Sequence, residues 1–334
     1  MRFFKITLVA LAVTLTGIED ILAQPDSLFL TEKETNIEDF GWKLKEELGL
    51  YINQVSFTNW NAGGANSISG IISGKASARL KQDHYFWNST LLTRYGINKQ
   101  ESQGVRKTED VLSVISNFGY ETDEESNWFY SARFSFNTQY ANGFNYPDRE
   151  TPISKFMAPG YLFLGAGIEY GRHIEKFSFY ASPLTLKTTF VLDQDLANAG
   201  SFGVDPAIYD MAGNVLRPGK MIRREFGILL TNEYENEILE NVKMNSLLRL
   251  YTDYLNSFGN VDLEWEVSFD FKVNKYVNAI LGSHLRYDND IKSEVETDEM
   301  TNRQTLIAGP KLQWKQLLGI GVVVDLSSLT KETN

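Results

Sequence analysis

The stretch NVDLEWEVSFDFKVN, Asn260 to Asn274, alternates at every step. Val261, Leu263, Trp265, Val267, Phe269, Phe271 and Val273 are apolar, while Asp262, Glu264, Glu266, Ser268, Asp270, Lys272 and Asn274 are polar. Successive side chains of a β-strand point to opposite faces, so this order builds one greasy wall and one charged wall. The same period of two runs through SISGIISGKASARLK, Ser67 to Lys81. It returns where Trp128, Tyr130, Ala132, Phe134 and Phe136 alternate with Phe129, Ser131, Arg133, Ser135 and Asn137.

A soluble β-sandwich alternates too, so strand length and connection length must decide. Strands are predicted near 46–58, 67–81, 84–98, 107–120, 127–141, 159–172, 176–192, 220–234, 238–254, 260–273, 276–288 and from about 303. Many exceed a dozen residues, against about 5–6 in ordinary sheets and about 9–11 for a tilted membrane strand. Short connections fall at Gln82-Asp83, Glu121 to Ser126, His173 to Glu175, Glu235 to Glu237 and Asn274-Lys275. Between them lie the longer Asn59 to Asn66, Lys99 to Arg106, Asn142 to Ala158, Asp193 to Gly219 and Asn289 to Asn302; only Asn256 to Gly259 departs from the rule. Turns on one side and loops on the other mark an outer-membrane barrel. Aromatic residues gather at the predicted strand ends: Phe118, Tyr120, Trp128 and Tyr130 flank one short turn, and Tyr85, Trp87, Tyr234 and Tyr276 lie near others, as membrane interfaces favour. The expected fold is therefore all-β, an antiparallel up-and-down transmembrane barrel. Twelve strands result if Arg303 to Leu326 is continuous; a turn at Lys315-Gln316 would split it and shift the even count to fourteen.

The chain opens MRFFKITLVALAVTLTGIEDILAQ, with Arg2 and Lys5 before an apolar run and Leu22-Ala23-Gln24 after it, the layout of a secretory signal peptide over residues 1–23. A polar leader is expected at 24–45, with a short helical turn at Asp39 to Glu46, then the barrel at 46–327 and a tail at 328–334. There is no cysteine, so there is no disulfide and no thiol-linked lipid anchor. No later run reaches the roughly 18 apolar residues of a membrane helix, the longest being stretches such as LLGIGVVV at 317–324. The formal charge of −11 argues against nucleic acid. The expected surroundings are outer-membrane lipids, with small polar solutes or ions as further candidate partners and no nucleic acid.

Asn59-Trp60-Asn61-Ala62-Gly63-Gly64-Ala65-Asn66 falls in the first long connection. Glycine and asparagine there favour a tight reversal. It is no phosphate cradle, because no Lys-Ser/Thr follows and Ser67 opens a strand. Trp60 is a candidate for a ring folded into the lumen; a plain turn accounts for the rest. NWNAGGANS at 59–67, YGINKQESQGVRKTED at 95–110, FMAPGYL at 156–162 and SPLTLK at 182–187 together resemble a Bacteroidota family designated domain of unknown function 3078. NVDLEWE at 260–266, HLRYDND at 284–290 and GPKLQWKQLLGIG at 309–321 extend the likeness over nearly the whole mature chain. The resemblance implies an outer-membrane β-barrel and supplies no established reaction, so no catalytic residue follows from it.

Candidate lumen residues come from the polar walls of the late strands: Arg249, Asp262, Glu264, Glu266, Asp270, His284 and Arg286. If the hairpin at 256–259 is tight, Arg249 faces Glu266 and Lys243 faces Lys272; if the turn at 274–275 is tight, Glu264 faces Arg286 and Glu266 faces His284. Such a strip could select cations or bind a polar solute, or simply satisfy a narrow interior. Catalysis is not expected. Of His84, His173 and His284, the first two fall at turns and the third has carboxylates, not a serine, as its expected neighbours. Asp288-Asn289-Asp290 lacks the glycine and spacing of a calcium loop, and no cofactor is expected. The loops at 142–158 and 193–219 are the best places for ligand contact.

Overall fold

The computed structural model describes residues 41–56, 66–101, 103–121, 123, 126–171, 176–255, 258–274, 276–289, 295–298, 303–306 and 310–325. The predicted signal peptide, Trp60 with its loop, His173 and the tail at 328–334 lie outside them. Twelve strands close into one barrel. In chain order they are β1 (Gly41–Val55), β2 (Ser67–Lys81), β3 (Tyr85–Gln100), β4 (Arg106–Tyr120), β5 (Trp128–Thr138) and β6 (Gly160–Tyr170). They continue as β7 (Phe177–Phe190), β8 (Ile222–Leu239), β9 (Val242–Asp253), β10 (Asp262–Lys272), β11 (Val277–Tyr287) and β12 (Gln313–Asp325). Each strand pairs antiparallel with its neighbours in sequence, and β1 closes on β12 through pairs such as Leu50 with Val322 and Tyr51 with Gly321. This is the up-and-down transmembrane barrel that the alternation predicts, and closure leaves no unpaired sheet edge.

The pleat sorts the side chains. On β10, Trp265 is 42% exposed on the outer wall and Glu266 is 2% exposed on the inner one. Along β12, Trp314, Leu318, Ile320 and Val322 are exposed, as are Trp42, Leu44, Leu48 and Leu50 along β1. Three outer tryptophans have a partner for the indole N–H: Trp87 donates to Ser116 Oγ at 2.7 Å, Trp265 to Ser246 Oγ at 3.1 Å and Trp314 to Ser283 Oγ at 2.9 Å. Each pair satisfies two polar atoms on a face where hydrocarbon offers no partner. At the short-turn end, Trp42 packs on Trp87 (6.1 Å between ring centres) and Trp128 on Tyr170 (4.8 Å), part of an aromatic girdle. At the seam, Gly321 lies against Tyr51, and a Cβ there would sit 2.3 Å from the ring's Cδ1 and 2.7 Å from Leu50 O. The second glycine of LLGIGVVV thus makes room for the ring.

Several boundaries differ from expectation. The first strand begins at Gly41, so the barrel takes in the end of the expected leader and no helical turn forms at Asp39 to Glu46 over its described part. Trp42 and Leu44 turn outward and Lys43 and Lys45 inward, continuing the alternation, and residues 41–45 pair with 77–81 of β2. The turn expected at Glu235 to Glu237 is strand; the chain reverses at Glu240-Asn241, where Asn241 takes φ 64°. Asparagine tolerates that left-handed conformation, and extending the strand places Glu235 beside Lys243. The last strand begins at Gln313 rather than near 303, because Pro310 lacks the N–H a ladder needs, and it is unbroken at Lys315-Gln316. Residues 295–298 and 303–306 pair with each other as a separate hairpin.

The long connections carry structure of their own. Gly143–Phe144 pairs with Pro152–Ser154, and Ile208–Tyr209 with Val215–Arg217. A one-turn helix at Gln194–Asn198 is capped by Asp193, whose carboxylate accepts from Leu196 N at 3.1 Å. Leu196, Ala197, Phe202 and Val204 bury themselves against Ala158 and Val191, so this loop folds on the barrel rim around a small core.

Candidate functional site

The inner wall is charged from end to end. Near the long-loop end, Lys187 of β7 stands among three carboxylates: Asp262 at 2.8 Å, Glu225 at 3.6 Å and Asp288 at 3.7 Å. Arg223 lies 3.4 Å from Glu225 and Arg286 lies 3.7 Å from Asp288. Three cations therefore meet three anions in this tier. The Lys187 ammonium sits 5.0 Å from the centre of the Tyr251 ring, and the Arg286 guanidinium 5.2 Å from that of Tyr161.

One step deeper, Arg249 Nη1 donates to Glu264 Oε2 at 2.8 Å, and His284 Nε2 is 3.3 Å from Glu264 Oε1. Glu266 completes the cluster; one ligand-type atom from each of Glu264, Glu266 and His284 lies within 4.8 Å of the others. Across the lumen, Arg133 bridges Glu169 and Glu233, each at 2.8 Å, with its guanidinium 4.4 Å from the centre of the Tyr180 ring. Glu169 also accepts from Asn117 and Ser131. Glu109 lies 3.3 Å from Arg94 and 2.8 Å from Lys315. Towards the short turns, Asn245 donates to Asp270 at 2.8 Å and Lys243 lies 2.6 Å from Glu235.

This interior is crowded rather than hollow. Arg94, Tyr180, Glu266 and Val111 are each under 2% exposed in their side chains. Among the described residues, two cavities are lined by inner-wall side chains. The larger, about 730 Å³ of atom-free space with open solvent at its edge included, is bordered by Tyr161, Lys187, Tyr251, Asp262, Glu264 and Asp288. The smaller, about 570 Å³ on the same measure, is bordered by Arg133, Thr231, Glu233 and Leu247. Ser135, Phe163, Leu229 and Arg249 border both, a mixed layer between two polar spaces.

The structure places Arg249, Asp262, Glu264, Glu266, Asp270, His284 and Arg286 on the inner face of the sheet. The register across the 274–275 turn is as expected, with Glu264 opposite Arg286 and Glu266 opposite His284. Across the preceding hairpin it is shifted by two. Arg249 faces Glu264, not Glu266, and Lys243 faces Asp270, not Lys272. The observed register sets opposite charges face to face and avoids the Lys–Lys pair. The wider loop is stitched by Gly259 N donating to Thr252 Oγ1 and Leu255 N to Asp253 Oδ1. The sequence does not single out Lys187, Glu225 or Arg133, and it brings Asp288 forward only in a calcium-loop reading that its spacing does not support. Lys187 and Asp262 are 75 residues apart, and no local spacing announces that contact.

Residues 52–144 match the model of a family described as "Protein of unknown function (DUF3078)", which shows over that segment the resemblance read from the motifs. No curated protein sequence matches the chain. Among solved structures, the COG4313 outer membrane channel from Pseudomonas putida F1 is similar at 10% identity and a TM-score of 0.41, covering 89% of this chain and 100% of that one. The NanC porin is similar at 9% identity and 0.34, covering 83% and 98%. Outer membrane phospholipase A from Escherichia coli is similar at 9% identity and 0.32, covering 85% and 97%. At this level of similarity neither the channels nor the phospholipase says what this lumen does.

Proposed function

We propose that the chain is a non-enzymatic barrel of the Gram-negative outer membrane that admits small polar solutes or ions into a narrow charged lumen. The long loops face outward and the short turns face the periplasm, as in other such barrels. Entry is passive: lumen width and charged lining set what is accepted. The observation that carries this reading is the outer tier, where Lys187 and Arg286 with Asp262 and Asp288 border the larger cavity, and Glu225 and Arg223 extend the same ion-pair chain beyond its lining. A lining of both signs beside tyrosine rings suits solutes bearing hydroxyls or both charges better than a bulk ion stream.

The mixed layer at Phe163 and Leu229 is the expected resistance to passage. Purified protein in planar bilayers should show small or rare conductance steps, and F163A combined with L229A should raise conductance several-fold. A wide, steady wild-type pore that the double substitution leaves unchanged would contradict the assignment.

A further inference from the structure

We propose that Glu264, Glu266 and His284 form a binding site for one first-row divalent metal ion, with zinc as the reference case. The backbone prepares it. Glu264 and Glu266 are two apart on β10 and project from the same face, and His284 on β11 is the direct cross-strand partner of Glu266. Three ligand-type side chains thus form a triangle on one wall of the barrel, and of the three Glu264 borders the larger cavity. Glu266 is 2% and His284 3% exposed, so little bulk water competes for them.

The distances fit such an ion. Two ligands each about 2.0–2.1 Å from a tetrahedral zinc stand roughly 3.3 Å apart, and His284 Nε2 and Glu264 Oε1 are separated by 3.3 Å. The three ligand atoms lie within 4.8 Å of one another, so side-chain shifts of about an ångström close the third contact. Arg249 does not occupy the required oxygen; it holds Glu264 Oε2 at 2.8 Å and leaves Oε1 turned to the imidazole. A partner that fixes a ligating carboxylate from behind is what metal sites use to orient their ligands. One imidazole nitrogen with carboxylate oxygens suits zinc or manganese; calcium and magnesium prefer oxygen ligands alone. Three protein ligands leave a coordination position facing the lumen, where Glu264 also borders the larger cavity. The site does not depend on whether solutes cross the barrel.

The test is titration of chelator-treated, detergent-solubilised protein with Zn²⁺ by calorimetry, and with Co²⁺ by visible absorption, for the wild type, E266Q, H284N and E235Q. Heat-modifiable gel migration confirms that each variant is a folded barrel. The expected result is one Zn²⁺ per chain, a cobalt absorption band of low-coordinate type, a loss of affinity of about ten-fold or more in E266Q and H284N, and no change in E235Q. Absence of saturable binding at one ion per chain would overturn the proposal. So would Ca²⁺ binding as well as Zn²⁺ with H284N unaffected, which would indicate a carboxylate cluster attracting any cation.

Discussion

Removing the ammonium of Lys187 would bring the carboxylates of Asp262, Glu225 and Asp288 together without the cation that all three approach within 4 Å. Lys187 and Glu225 are nearly inaccessible, and breaking a buried pair costs about 3–5 kcal/mol. K187M, which keeps the stem, should therefore lower the unfolding free energy in detergent by about 3 kcal/mol, read from urea titration of tryptophan fluorescence. D262N should cost less than half as much, because Lys187 keeps Glu225 and Asp288. Equal effects would mean that the tier is not centred on the lysine. Gly321 tests the seam at the same scale. A methyl group there meets both the Tyr51 ring and the Leu50 carbonyl, and overpacking of this kind costs about 1–3 kcal/mol. G321A should lose that much stability, and G321A with Y51A should recover part of it.

The rim loops depend on carboxylates whose ionisation can be read. Burial pushes the Asp193 carboxyl up, but hydrogen bonds from the Lys155 ammonium and Leu196 N outweigh it and hold the group below the usual carboxylate range. The hydrogen bond from the Lys220 ammonium to Asp205 lowers that carboxyl too. A carboxyl depressed in the folded state contributes stability above its unfolded value, near 3.9, and loses it as pH falls through the lower folded value. Amide hydrogen exchange over 193–220, corrected for the intrinsic pH dependence of exchange, should thus show steady protection from neutral pH to about pH 4 and lose it below, with D193N less protected at every pH above that window. A flat profile would show that these carboxylates do not hold the loop. Elements of this kind are only half legible in a sequence. The alternation at 67–81 and 261–273 identifies strands because each side chain's destination is fixed by parity alone. The turn at Glu240-Asn241 is harder to place, since Glu235 to Glu237 also reads as a short connection and only cross-strand pairing with β9 decides between them. The loop core of Leu196, Phe202 and Val204 is hidden for a similar reason: its contacts with Ala158 and Val191 are tertiary.

For the whole molecule, strand length and the sorting of loops by side were enough to predict a closed barrel, because hydrocarbon outside and water inside act on every strand alike. Charge partners were less legible. Glu264 with Arg286 follows from a two-residue turn, whereas Arg133 bridging Glu169 and Glu233 joins β5 to β6 and β8 and requires the curvature of the closed sheet. The central claim is that apolar side chains face lipid and charged ones face an aqueous interior. The native chain contains no cysteine, so single cysteines can be placed without background. Cysteines at 263 to 269, one per variant, should be spin-labelled in the unfolded chain, the protein refolded into lipid bilayers, and each label's collision rate measured with dissolved oxygen and with a water-soluble nickel chelate. Oxygen, which concentrates in hydrocarbon, should collide most at the odd positions, out of phase with the even ones. Equal oxygen collision at odd and even positions, or nickel collision that is highest at the odd ones, would contradict a barrel whose greasy wall faces the membrane.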